Sequence, residues 1–211
     1  MRIALAQLNQ TVGDFDGNVA RIVADEIHAD FELPGHVHHP ILSFSPDAVM
    51  LISATKTFNL AGLQISNIFV SNQPMRRRIR QEISRAGYSQ LNVMGMVACK
   101  AAYAHGEEWL EELKTYLTGN LNFVRSFISA RIPEIRLVEP EGTYLVWLDC
   151  RALGLNDKAL DELVIQRAKL WLDGGHMFGQ GGSGFQRVNI ACPRSLLEQA
   201  MEQLAAAVAS R

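Results

Sequence analysis

With 211 residues the chain has room for one large domain or two small ones, either with a substantial buried core, so size leaves an enzyme open. Its 20 lysines and arginines against 22 aspartates and glutamates give a formal charge of -2, which removes any global electrostatic reason to expect nucleic acid or an anionic membrane as partner. Cys99, Cys150 and Cys192 are odd in number and far apart, which argues against a disulfide framework and for three small core residues in a reducing, cytoplasmic compartment.

From the N-terminus, "RIALAQL" at 2–8 predicts a buried strand, and "GDFDGNVARIV" offers turn chemistry followed by a short helix or a second strand. No apolar stretch is long enough to cross a bilayer, and this opening segment lacks the pattern of a signal peptide. "VARIVADEIH" ends an apolar run in two carboxylates and a histidine, as where a strand reaches a polar site. The following "ADFELPGHVHHPILSFSPDA" contains three prolines and predicts a loop of about 20 residues. Its His36, His38 and His39 have no cysteine or carboxylate at ligand spacing and are expected to be solvated rather than metal-bound. "VMLISAT" and "GLQISNIFVSN" are near-continuous apolar strands, suited to a sheet covered on both faces.

Arg76, Arg77, Arg78 and Arg80 follow Pro74 and read as the solvated first turn of a helix. From Met75 to about Ala130 the pattern is helical, with Trp109, Leu110, Leu113, Leu117, Leu121 and Val124 recurring at steps of three and four, until Pro133 stops it. Two strands then flank the turn "EPEG", a helix capped by Asn156 or Asp157 follows, "FQRVNIAC" is a last strand, and a terminal helix starts at about Ser195. The class is α/β, with a break in character near the central helices and no internal repeat.

Lys56, at the mouth of the strand 49–54, carries the sharpest question. Desolvating an ammonium is costly and lowers its pKa, so a lysine here is either a snorkelling side chain or an amine that chemistry requires. "VADEIH" lies 31 positions earlier, and an acid and a lysine at the ends of neighbouring strands are the pair that pyridoxal phosphate chemistry uses. The lysine holds the aldehyde, and the carboxylate keeps the pyridine nitrogen protonated. Asp25 suits that role better than Glu26, because on a strand it shares a face with Ile27, which then lies against the ring. His28 is placed to reach the ring hydroxyl, and Ser53 and Thr55 to donate to a phosphate. A surface or helix-capping Asp25 is the alternative. Arg187, in an apolar strand, must be paired, either with a substrate carboxylate or with an acid of the protein. Gly179, Gly181, Gly182 and Gly184 before it form only a weak phosphate-loop signal, since neither a helix nor a Lys-Ser/Thr ending follows.

Taken together, "DEIHADF" at 25–31, "SATKTFNLAGLQISNIFVSN" at 53–72, "HGEEWLEELKTYLTGN" at 105–120, "EGTYLVWLDCRALG" at 141–154 and "FGQGGSGFQRVNIACPR" at 178–194 resemble, in order, the C-terminal half of a fold-type I pyridoxal phosphate enzyme of the aminotransferase class I and II superfamily, in its cystathionine β-lyase branch of MalY/PatB type. The resemblance covers about residues 22–208. It implies Lys56 as the covalent anchor, Asp25 as partner of the pyridine nitrogen, His28 near the ring oxygen, Ser53 as a phosphate ligand and Arg187 as the substrate carboxylate clamp. Many aminotransferases have an arginine eight residues after the lysine; Gln64 stands there, which favours the lyase branch.

The implied fold is partial fold-type I, with an incomplete large-domain sheet over 22–90 and an interdomain helix plus small α+β domain over 91–211. The glycine-type phosphate loop, the ring-stacking aromatic and the "NPxNPxG" asparagine belong to the half that is absent. Residues 1 to about 20 instead resemble the opening of the nitrilase-like amidase domain of glutamine-dependent NAD synthetase, giving an unrelated segment at 1–21. The implied activity is a C-S β-lyase acting on an amino-acid thioether as a homodimer. An aminotransferase, or an inactive truncated or fused remnant, is the alternative.

Overall fold

The computed structural model describes residues 23–88 and 90–211. The expected strand at 2–8, the turn after it and the nitrilase-like opening lie outside those residues. The chain divides into two compact units, Met1–Leu110 and Glu111–Arg211.

In the first unit β1 (Val23–Asp25), β2 (Val49–Ile52) and β3 (Asn67–Val70) form a sheet in that order, β1 parallel to β2 and β2 antiparallel to β3. Between β2 and β3 lies a single helical turn, α1 (Ala54–Thr57). α2 (Gln73–Arg85) follows the sheet, and Asn72 caps it by accepting the Met75 N–H at 3.0 Å. Val49, Val70 and Met75 form one small core with Val23, Leu51 and Ile79, and Ala54, Ile65 and Cys99 form a second under α1. β3 starts later than the apolar run suggests. Ala61–Leu63 closes a 3-10 turn and Gln64 takes φ 49, in the left-handed region, where an extended strand cannot continue.

The long β1–β2 connection is pinned rather than loose. The largely buried Glu26 side chain accepts the Ile41 N–H and His38 Nε2–H, each at 2.8 Å, while Phe31 and Ile41 are buried. His38 is therefore held by a carboxylate where solvent was expected, because the loop folds back onto the strand end; His36 and His39 are exposed. In α2, Arg77, Arg78 and Arg80 face solvent, whereas Arg76 donates to the Val70 carbonyl at 2.6 Å.

The predicted central helical stretch resolves into α2, α3 (Val93–His105) and α4 (Glu107–Arg131). Gly106 separates the last two, where a Cβ would collide with the Phe58 ring and the Ala102 carbonyl. No helix among the described residues is long and apolar enough to cross a membrane.

In the second unit β4 (Arg136–Val138), β5 (Leu145–Asp149), β6 (Asp173–Gly174) and β7 (Phe185–Asn189) form an antiparallel sheet in the order β4-β5-β7-β6. α5 (Asp157–Asp161), capped by Asn156 rather than Asp157, continues over Glu162–Arg167 as a wider π-coil, and α6 (Arg194–Ala209) closes the chain. The core takes Leu117, Leu121, Val124 and Ile128 from one stripe of α4, alternate positions Val146, Leu148 and Val188 from β5 and β7, and Leu197, Met201, Leu204 and Val208 from α6. Cys150 is buried here, and burial followed by the Asp149 charge pushes its thiol up to about 12, which keeps it protonated and inert.

The one fully buried amide among the described residues, Asn120, joins α4 to the approach to α6. It donates to the Ile190 and Cys192 carbonyls at 2.8 and 3.1 Å and accepts from Arg194 Nε at 2.9 Å. Because Asn120→Ala leaves those buried partners unsatisfied, it is expected to cost about 1–3 kcal/mol in chemical denaturation. Arg125→Ala, which breaks the exposed pair with Glu139, is expected to cost about 1 kcal/mol or less in the same measurement.

Candidate functional site

A helix of one turn has almost no stability of its own, so α1 depends on what grips its ends. At the N-terminal end Ser53, 3% exposed, accepts the Thr55 N–H at 3.1 Å and donates its proton to the Ile65 carbonyl at 2.5 Å. Since a carbonyl only accepts, Thr55 Oγ1 is the donor in its 2.8 Å bond to Ser53 Oγ. At the C-terminal end Thr57, fully buried, donates to Asp30 Oδ2 at 2.6 Å. Ala54 and Thr57, three apart, face inward together.

Lys56 is thereby turned outward. It is exposed and forms no ion pair with the described residues. This differs from a lysine at the mouth of a buried strand: β2 ends at Ile52, and Ser53 begins a helical turn whose outer side carries the amine.

β1 and β2 are parallel, so Asp25 and α1 lie at the same, carboxyl end of the sheet. Asp25 is paired in register with Leu51, and the Glu26 N–H donates to the Leu51 carbonyl at 2.8 Å. The two acids of "DEIH" have separate tasks. Glu26 is spent on the loop, while Asp25 is exposed and, among the described residues, receives the Ile27 N–H at 3.2 Å on Oδ1. Ile27 does not share a strand face with Asp25. The strand stops at Asp25 and residues 27–30 form a turn, so strand alternation no longer applies. The His28 ring lies in that turn, 6.2 Å from the Phe31 ring. Ser53 and Thr55 are close to Lys56 as expected, but both hydroxyl protons are engaged within the protein.

Arg187 belongs to the second unit and sits opposite Trp147 on the face of β7 turned away from the buried Gln186 and Val188. Of the two pairings open to it, the internal one is present. Nε and Nη2 donate to Asp173 Oδ2 at 3.1 and 2.6 Å, and the guanidinium lies 4.5 Å from the Phe178 ring centre. Nη1 makes no bond among the described residues, so an edge of the fork stays open to a carboxylate. The glycine run is a packing device. Gly175 and Gly182 lie backbone to backbone, and the Ser183 hydroxyl and Gly184 N–H both donate to Asp157, holding its carboxyl below the usual range.

Three features escaped the sequence reading: the Thr57–Asp30 bond, the Asp173 partner of Arg187, and an aromatic group in which Phe58 meets Tyr103 at 5.6 Å and Trp109 at 5.9 Å. The only local hint was a second threonine directly after Lys56. Burial first, then the charges of Asp30 and Cys99, push the Tyr103 phenol up to about 12. The native state thus keeps a proton that the unfolded chain releases near pH 10.0. Its contribution to stability is complete below that pH and is lost as pH rises to about 12. Burial raises the Tyr144 phenol as well, so ultraviolet titration is expected to show more than one late tyrosine, with the component near 12 lost in Tyr103→Phe.

The sequence model for aminotransferase class I and II matches residues 4–204. Cystathionine beta-lyase PatB of Bacillus subtilis (strain 168) is 37% identical over 191 residues, covering 89% of this chain and 49% of the relative. Protein MalY of Escherichia coli (strain K12) is 34% identical over 190 residues, with 89% and 49% covered. The crystal structure of cystalysin from Treponema denticola, which contains a pyridoxal 5'-phosphate cofactor, superposes with a TM-score of 0.84 at 34% identity, over 89% of this chain and 49% of that one. The chain spans about half the length of the curated relatives it matches. The match beginning at residue 4 runs through the segment read as nitrilase-like, and that reading finds no support.

Proposed function

Because the chain belongs to the aminotransferase class I and II family, we propose that it carries the lysine-bearing half of the site of a pyridoxal phosphate-dependent C-S β-lyase. The carrying observation is a Lys56 amine and an exposed Asp25 carboxylate, neither in an ion pair among the described residues, at one end of two adjacent parallel strands, in a chain whose relatives include a named cystathionine β-lyase. The residues fit the aldehyde and the ring nitrogen of the cofactor. Lys56 would anchor the aldehyde and Asp25 would hold the ring nitrogen, with Ile27 and His28 beside the ring. Ser53 and Thr55 would serve the phosphate only by giving up a bond within the protein.

Pyridoxal phosphate, when bound, supplies an aldehyde for covalent attachment and a ring that accepts an electron pair. The chain's own groups do the rest. Arg187, oriented by Asp173, would bind the substrate carboxylate through its open edge and fix which Cα bond faces the reacting group. The Lys56 amine would take the Cα proton, and the thiolate would leave Cβ with the C–S electron pair. Cysteine thioether and water would yield thiol, pyruvate and ammonia in balance. The substrate is an amino acid, and the acting species is a dimer of the complete fold in the cytoplasm.

Purified protein mixed with pyridoxal phosphate is expected to show the visible band of the lysine-bound cofactor, lost in Lys56→Ala. Pyruvate release from cystathionine, with no keto-acid acceptor, is expected to fall by roughly 10²–10⁴-fold in the same variant. A requirement for an acceptor points to an aminotransferase. A folded protein without the band marks an inactive remnant. Arg187→Ala is expected mainly to raise KM, and Arg187→Lys to restore little, since an ammonium lacks the fork.

A further inference from the structure

We propose that Thr57 and Asp30 are positioning residues for Lys56, forming a tether that locks the lysine-bearing turn to the turn that follows Asp25; this rests on the cofactor reading above. Three observations support it. The bond is short, 2.6 Å, and its donor is fully buried, so the Thr57 hydroxyl has no water as a competing partner. It joins two segments 27 residues apart, in addition to the strand pairing and the Glu26–Leu51 backbone bond. It also acts on the residue next to Lys56. With Ser53 fixed to the Ile65 carbonyl at one end and Thr57 to Asp30 at the other, a four-residue helix has no freedom to rotate, and the direction of the Lys56 side chain follows.

Asp30 lies two residues after His28 and five after Asp25, so the same bond sets the turn that carries those groups. Tyr103 feels the Asp30 charge, and Ala54 packs with Ile65 and Cys99 on the inward side of α1. Loss of the Thr57 hydroxyl leaves the carboxylate facing this half-buried surface, with an incentive for the 27–31 turn to move away.

The test compares two small changes with opposite predictions. Thr57→Val keeps the shape and removes the hydroxyl, whereas Thr57→Ser keeps the hydroxyl and removes a methyl group. Positioning predicts that Thr57→Val weakens pyridoxal phosphate capture roughly tenfold to a hundredfold in a spectroscopic titration, while Thr57→Ser stays near the parent. After borohydride reduction and peptide mapping, the share of label on Lys56 relative to the other lysines is expected to fall in Thr57→Val. Hydrogen exchange is expected to quicken together over 27–31 and 54–58. Asp30→Ala is expected to reproduce these changes, and the double variant to add nothing further. A parent-like Thr57→Val with a weakened Thr57→Ser assigns the residue to packing and overturns the inference while the cofactor reading stands. A parent chain that shows no lysine-bound band overturns the cofactor reading, and the positioning role with it, even where the exchange of the two turns remains coupled.

Discussion

The arrangement around Lys56 depends on one constraint: a helix of four residues cannot hold itself in place. Its geometry must come from outside, and here it comes from two hydroxyls. Ser53 ties its start to the segment before β3, and Thr57 ties its end to the turn after β1. Between them the inward residues, Ala54 and Thr57, are completely buried, and the outward one is a lysine. Fixing the backbone that carries the lysine removes the backbone's share of the conformational search, though not the side chain's own.

The same economy separates the two neighbouring acids. A parallel β1–β2 pair requires a long connection, and that connection needs a buried acceptor to hold it against the strand end. Glu26 performs that task with Ile41 and His38, so Asp25 is not consumed by the fold. The available acid and the available amine end up on the same edge because parallel strands end on the same side. Strand topology, rather than attraction between the two groups, sets this juxtaposition.

In the second unit Arg187 shows how a guanidinium can be fixed yet remain useful. One Asp173 oxygen takes two of its donors and Phe178 covers a face, while Nη1 makes no bond among the described residues. The glycines beside it serve the approach of Gly175 to Gly182, a packing need that resembles a phosphate loop only in composition.

Much of this was already determined by the sequence. The α/β class, most of the order of strands and helices from residue 23 on, and the family itself follow from local patterns and ordered motifs, since periodicity, caps and breakers act over a few residues. Asn72 and Asn156 cap as their positions suggest, and the α4 stripe from Leu117 to Val124 is buried as spaced. Only the tertiary structure decided that Lys56 faces outward from a helical turn, that Ile27 leaves the strand face, that His38 is paired, that Ser53 and Thr55 spend their protons on the protein, and that Arg187 rests on Asp173. Each of these is a matter of which hydrogen-bonding group finds which partner after distant segments meet, such as Thr57 with Asp30 across 27 positions. No local pattern specifies such a pairing, because its energy exists only once burial has removed water as the competing partner.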